Sequence, residues 1–220
     1  MIPVIPYYEG ETNKGTCYLA AGNGMFLQKQ NPFYTSITKV PDVVPFADDC
    51  QPSFTLHMPA KIPASLVHTV QSFFKKAVEA YCSEACVVLN YNSETGEWNA
   101  VVDQQSVSHG GVNYARTPAP MGWTPVGTIH SHANFSAFHS GTDDNDEAEF
   151  DGIHCTFGHN DKDEFSISAS VVVDSKRYIV DPLLLLDGLE NGKESNMFKF
   201  VGNETDDVLA NQYFSQVKSK

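Results

Sequence analysis

Apolar residues recur at helical spacing from Pro63 to about Tyr81, where Leu66, Val67, Val70, Phe73, Phe74, Ala77 and Val78 share one stripe. Pro63 suits a first helical turn, because its φ is already set and its missing N–H has no partner to lose there. Lys75 and Lys76 fall on the exposed side, so the stripe predicts core packing. Elsewhere the pattern is strand-like. Residues 16–20 and 24–28 flank a Gly-Asn-Gly turn, a hairpin signal. Residues 36–44 read as another strand, and Pro41, Pro45, Pro52 and Pro59 then punctuate a loop-rich passage. After the helix, strands are predicted at 84–91, 98–103, 105–114, 126–132, 153–158, 165–173 and 176–180, with a turn at 92–96 and Gly127 lying close to a neighbouring strand. The acidic stretch 142–150 reads as a helix with Thr142 or Asp143 near its N-cap. Residues 208–217 read as a closing helix. The pattern divides the chain into a β-rich N-terminal extension, 1–60, and a main α+β domain, 61–220.

Composition narrows the function classes. With 220 residues and 41% apolar content the chain can bury a sizeable core. Its formal charge of −13 repels polyanions, which argues against nucleic acid as a partner. The N-terminus has no basic region followed by an apolar run, and no apolar stretch approaches membrane-spanning length, so a cytoplasmic chain without a membrane segment is expected. The five cysteines, Cys17, Cys50, Cys82, Cys86 and Cys155, are odd in number and lack CxxC spacing, which fits reduced, buried thiols.

The chemistry concentrates in Gly127-Thr128-Ile129-His130-Ser131-His132, running on to Ser140-Gly141-Thr142-Asp143. Side chains alternate faces along a strand, so His130 and His132 point the same way and can approach one metal. The loop 133–139 can bring Asp143 round as a carboxylate ligand. Two imidazoles and one carboxylate leave a tetrahedral zinc with an open fourth position for water, the pattern of a catalytic zinc site with one ion per chain. Calcium and magnesium favour all-oxygen shells. A zinc hydrolase also needs a base for the water proton. Glu84, at the helix-to-strand junction, is placed for it; by spacing alone Glu79, Glu94 and Glu97 are open alternatives.

His130-x-His132, seven residues, Ser140, two residues, Asp143, with Glu84 in Ser83-Glu84-Ala85-Cys86-Val87-Val88-Leu89 upstream, resembles the JAMM motif of the JAB/MPN metallopeptidases, and within them the prokaryotic JAB proteins. The resemblance spans about Pro63 to Pro182. It implies a curved, mixed β-sheet flanked by helices. It implies zinc on His130, His132 and Asp143, Glu84 as general base and proton shuttle, and Ser140 as oxyanion donor. It also implies a substrate: an amide bond after the C-terminal glycine of a ubiquitin-like protein, in a conjugate or a precursor. The alternative within the family is a non-catalytic MPN-type scaffold that binds such a partner, against which the intact residue set weighs. A deaminase-like zinc enzyme is disfavoured because no Pro-Cys-x-x-Cys element is present. One departure stands out: many family members have proline after the second histidine, where this chain has Ala133, which puts the loop path in question.

Other residues near the motif have plainer readings. His139 is expected to line the cleft or meet a carboxylate behind it, and His154 and His159 to be ordinary strand and turn residues. Asp144, Asp146, Glu147, Glu149 and Asp151 read as a solvated helix face, with a docking surface for a basic partner as the sharper alternative. Asn134 and Phe135 are placed for substrate contact or loop packing, and Trp98 and Trp123 for core or rim packing.

Overall fold

The structure, a computed structural model, describes residues 2–10, 15–40, 50–108, 111–114 and 117–219. It has two compact units, Met1–Pro59 and Ala60–Lys220. The first is a single sheet in the order β1 (Val4–Pro6), β2 (Cys17–Ala21), β3 (Gly24–Gln30), β4 (Tyr34–Val40) and β5 (Ser53–Leu56). Buried and half-buried positions alternate along β3 and β4, and Cys17, Leu19, Ala21, Phe26 and Cys50 form its core. The β2–β3 hairpin follows the predicted turn. Strand β4 starts at Tyr34, earlier than its sequence pattern suggests, and the expected continuation through 41–44 lies outside the described residues. Strand β5 falls in the passage read as loop. Its Ser53-Phe54-Thr55-Leu56 alternates polar and apolar residues, but it is only four residues long and lies among the prolines that suggested a loop.

The second unit begins with α1 (Ala64–Tyr81) and then β6 (Cys86–Asn92), β7 (Glu97–Val101), β8 (Gln105–Ser108), β9 (Gly111–Tyr114), β10 (Thr124–Ser131), α2 (Gly141–Glu147), β11 (Gly152–Gly158), β12 (Phe165–Val173), β13 (Lys176–Val180), α3 (Pro182–Leu185), β14 (Leu189–Asn191), β15 (Met197–Phe200), α4 (Asp207–Phe214) and β16 (Val217–Ser219). Its main sheet runs β14-β15-β12-β11-β10-β6-β7, with β13 also on β12; a smaller one runs β16-β8-β9. The main sheet is mixed: β10 and β11 are parallel, and β10 is antiparallel to β6.

Helix α1 covers the sheet with the predicted stripe. Pro63 stands at its N-cap in extended conformation, and Cys82 closes it in the left-handed region, donating its N–H to Val78 O. Phe73 and Phe74 are fully buried. Phe74 meets Phe157 of β11 edge-on at 5.9 Å, and Phe73 meets Tyr213 of α4 at the same distance. Burying each ring contributes about 1.5–3 kcal/mol, so this face rather than a cap holds the helix in place.

Four expectations are corrected here. Residues 105–114 form two strands, not one: Ser108 pairs with Gly111, and the glycine pair at 110–111 is the sequence cue for a reversal. The acidic helix has Ser140 as N-cap, so Asp143 lies inside the first turn, and the helix ends at Glu147 rather than Phe150. The closing helix stops at Phe214, and Val217 opens a strand parallel to β8. Elements α3, β14 and β15 were not predicted, because each is short and half-exposed. Among the described residues, no helix is long and apolar enough to cross a membrane.

Candidate metal centre

Strand β10 carries two functions on its two faces. A register shift between Pro125 and Gly127 sets the alternation that follows. Thr128, His130 and His132 then line one cleft, while Ile129 and Ser131 are fully buried between them. His132 is one residue past the strand but stays extended, donating its N–H to Phe157 O at 2.8 Å. Ser131 clamps the segment beside Glu84: its N–H donates to Ala85 O, and its Oγ accepts from Ala85 N at 2.9 Å. Sequence reasoning passed over Ser131, although its place between two cleft-facing histidines already assigns it to the opposite face.

Asp143 arrives through a capping box. Ser140 N–H donates to Asp143 Oδ2 at 2.6 Å, and Asp143 N–H donates to Ser140 Oγ at 3.2 Å. This fixes the carboxylate against both imidazoles. Its Oδ1 lies 3.2 Å from His130 Nε2, its Oδ2 lies 3.4 Å from His132 Nε2, and the two Nε2 atoms are 3.3 Å apart. A zinc tetrahedron with bonds of about 2.0–2.1 Å has edges of about 3.3–3.4 Å. The separation of the two Nε2 atoms matches such an edge, each faces one oxygen of the same carboxylate at a similar distance, and His130, His132 and Asp143 are a group that could hold a metal ion. Two nitrogens and one oxygen suit zinc better than calcium or magnesium.

The loop between the ligands is built on β11. Ala133 is buried with φ at 47°, and its carbonyl accepts from both the backbone N–H and the Nδ2 of Asn160. Proline cannot adopt that φ, so this loop follows a path closed to the residue many relatives carry there. Gly158 lets it pass: a Cβ at 158 would stand 2.3 Å from Phe135 O and 2.4 Å from Ala137 N. Because Ala133 occupies a region that disfavours a Cβ, Ala133→Gly is expected to stabilise the fold by about 0.5–1 kcal/mol. Ala133→Pro should lower the thermal midpoint, and thermal unfolding of both variants checks the pair.

A cleft of about 530 Å³ opens over His130, His132 and Asp143. Glu84 lines it, half-buried, with its N–H directed to Ser108 O at 3.4 Å. Glu79, Glu94 and Glu97 are exposed and do not line it. Gln105 secures the same segment, its buried amide accepting from Cys86 N–H and donating to Cys86 O, both at 2.9 Å. Ser140 also lines the cleft; its oxygen serves the cap, which leaves its O–H proton to donate elsewhere. Phe135 and Phe138 flank the cluster, half-exposed, with Phe138 against His132 edge to face at 4.7 Å. Val112 and Tyr114 of β9 contribute to the wall. Asn134 is exposed and is not part of the lining.

Behind His130 and Asp143 the acidic run departs from its expected role. Asp144, Asp146 and Glu149 are exposed, but Glu147 is buried and pairs with Arg177 Nη2 at 2.7 Å. Burial pushes the Glu147 carboxyl upward against the pull of His130 and Arg177. Burial also draws His139 down to about 4 and His154 down to about 3, and the nearby Arg177 charge acts in the same direction on both. For His130, burial pulls downward, but the Asp143 carboxylate, with Glu147 and Glu84, reverses the net direction. Burial alone would raise Asp143; hydrogen bonds from the two imidazoles hold it far below the usual carboxylate range. His159 is a half-buried turn residue with its Nδ1 at 3.1 Å from Ser166 Oγ, and Trp98 packs on Tyr91 at 5.0 Å, both in the plain roles expected. None of the five cysteines forms a disulfide; four are buried as expected, but Cys82, at the end of α1, is exposed.

A mixed sheet under one long helix, with two strand histidines and a helix-borne aspartate at its edge, defines a JAB/MPN-like domain. Residues 66–170 match the family profile described as prokaryotic homologs of the JAB domain, which supports a JAB/MPN assignment for the second unit. No curated protein matches the chain.

Proposed function

We propose that this domain is a zinc-dependent peptidase or isopeptidase that cleaves the amide bond after the C-terminal glycine of a ubiquitin-like protein. The convergence of His130, His132 and Asp143 at 3.2–3.4 Å carries the reading, because three lone-pair donors so arranged lack only a cation. Zinc held there would acidify a water and polarise the scissile carbonyl. Glu84, in the same cleft, takes the water proton and passes it to the leaving amine. The Ser140 hydroxyl donates to the oxygen that gains charge as the carbonyl becomes tetrahedral. Strand β9 ends its sheet and lines the cleft, so an extended tail can pair along it and lead its last residue to the ligands.

The test uses the zinc-loaded full chain and a ubiquitin-like protein fused through its C-terminal glycine to a reporter. Cleavage by the native chain should fall about 10²- to 10⁴-fold in Glu84→Gln, with zinc binding retained. A native chain that binds one zinc and cleaves no such fusion overturns the peptidase reading and leaves a binding scaffold.

A further inference from the structure

Glu147 follows Asp143 by one helical turn, on the same face of α2. Its side chain is 6% exposed, and a buried carboxylate requires partners. Arg177 supplies one, at Oε2. The other oxygen, Oε1, faces two imidazoles: His130 Nδ1 at 3.7 Å and His154 Nδ1 at 3.6 Å. A third, His139 Nδ1, lies 4.0 Å from Oε2.

Hydrogen-bond chemistry separates the three rings. His154 Nε2 lies 2.8 Å from the Phe150 carbonyl, which only accepts, so the proton is on Nε2. Its Nδ1 keeps a lone pair and receives the Thr128 hydroxyl at 2.8 Å. His139 Nδ1 lies 3.1 Å from Arg177 Nη1, which only donates, so that nitrogen too carries a lone pair. Neither ring offers Glu147 a proton. His130 is different. Its Nε2 faces Asp143 and His132, and when that nitrogen gives its lone pair to a cation the ring proton must sit on Nδ1.

We propose that Glu147, held by Arg177, is a positioning residue that accepts the Nδ1–H of His130 and so fixes that ring with Nε2 turned to the metal centre. The inference rests on the metal-centre reading above and extends it to a carboxylate and an arginine behind the ligands. The 3.7 Å separation closes to a hydrogen bond of about 2.9 Å by a shift of under an ångström. Such a partner fixes the tautomer of a ligating histidine and raises its basicity. The spacing that delivers it, an acidic residue four positions after the ligand aspartate, was hidden within a run of acidic residues.

The test is zinc affinity by chelator competition on the full chain, read with the visible spectrum of the cobalt(II)-loaded protein and the thermal midpoint of the metal-free protein. Glu147→Gln should weaken zinc binding about 10- to 100-fold and shift the cobalt bands. Glu147→Gln combined with Arg177→Met removes both charges, so neither is left without its counter-charge, and should lose as much affinity; it carries the test if the single variant does not fold. Arg177→Met alone keeps the carboxylate beside His130. It should lower the metal-free midpoint furthest while losing less affinity than Glu147→Gln. If affinity instead follows the midpoint, with Arg177→Met the weakest binder, the pair is merely structural. Binding by Glu147→Gln within about twofold of the native chain likewise overturns the inference. A native chain that binds no zinc overturns the metal-centre reading itself, and this inference with it.

Discussion

The His132→Ala chain is expected to bind zinc about a hundredfold to a thousandfold more weakly than the native chain. Four-ligand structural zinc sites bind with about 10–16 kcal/mol, or about 3 kcal/mol per ligand, and this substitution leaves two of three donors. Because His132 is buried and packs on Phe138, the substitution also opens a cavity and lowers the metal-free midpoint. The informative readout is therefore the change in midpoint on adding zinc. Zinc at a thousand times its dissociation constant stabilises the folded state by about 4 kcal/mol. In a chain of this size that is about 8–16 °C. The native chain should show that rise, and His132→Ala only about a tenth to a third of it at the same zinc concentration. Equal rises in the two chains would mean that zinc binds elsewhere and that the three-donor convergence is not its site. Cleavage of a ubiquitin-like fusion should disappear in parallel with the lost rise.

The parts of this site visible in the sequence are those fixed by short-range geometry. Alternation along a strand is enough to put His130 and His132 on one face, and α1 announces itself through seven apolar residues at helical spacing. Glu84 could be placed only as far as a helix-to-strand junction. Its selection over Glu79, Glu94 and Glu97 depends on Ser131 and Gln105 pinning residues 85 and 86, contacts spanning 46 and 19 residues. Long-range contacts of this kind leave no local period to read. The same reason hides Glu147. Its four neighbours in the acidic run remain at least partly accessible, and only Arg177, on a strand 30 residues further along the chain, distinguishes it. Ala133 shows the converse case. The missing proline was plain in the sequence, yet its meaning, a left-handed residue anchored by Asn160, appears only once β11 lies beneath the loop.

Gly127→Ala is expected to produce the largest loss of stability of any methyl-sized change near the site. At φ +150° a Cβ on residue 127 would stand 1.7 Å from the carbonyl oxygen of Ile153 and 2.6 Å from its carbon. Both are backbone atoms of the parallel partner strand, paired in register with 127, so no side chain can rotate away. Backbone strain at such a φ costs about 1–3 kcal/mol and overpacking about as much again, which gives a loss of about 3–5 kcal/mol. At about 2–4 °C per kcal/mol, the midpoint should fall by roughly 6–20 °C. The damage would not be confined to stability. His130 pairs with Thr156 of the same partner strand, so forcing β10 from β11 at residue 127 disturbs the strand that carries His130 and leads into His132. Zinc affinity should therefore fall in the folded variant as well. Gly141→Ala is the control. It lies two residues from Asp143, a Cβ there meets nothing within 4 Å, and its φ is not in the left-handed region. It should leave both the midpoint and zinc affinity essentially unchanged. If Gly127→Ala matched that control in both measurements, the close approach of β10 to β11 would not be what sets the site's register.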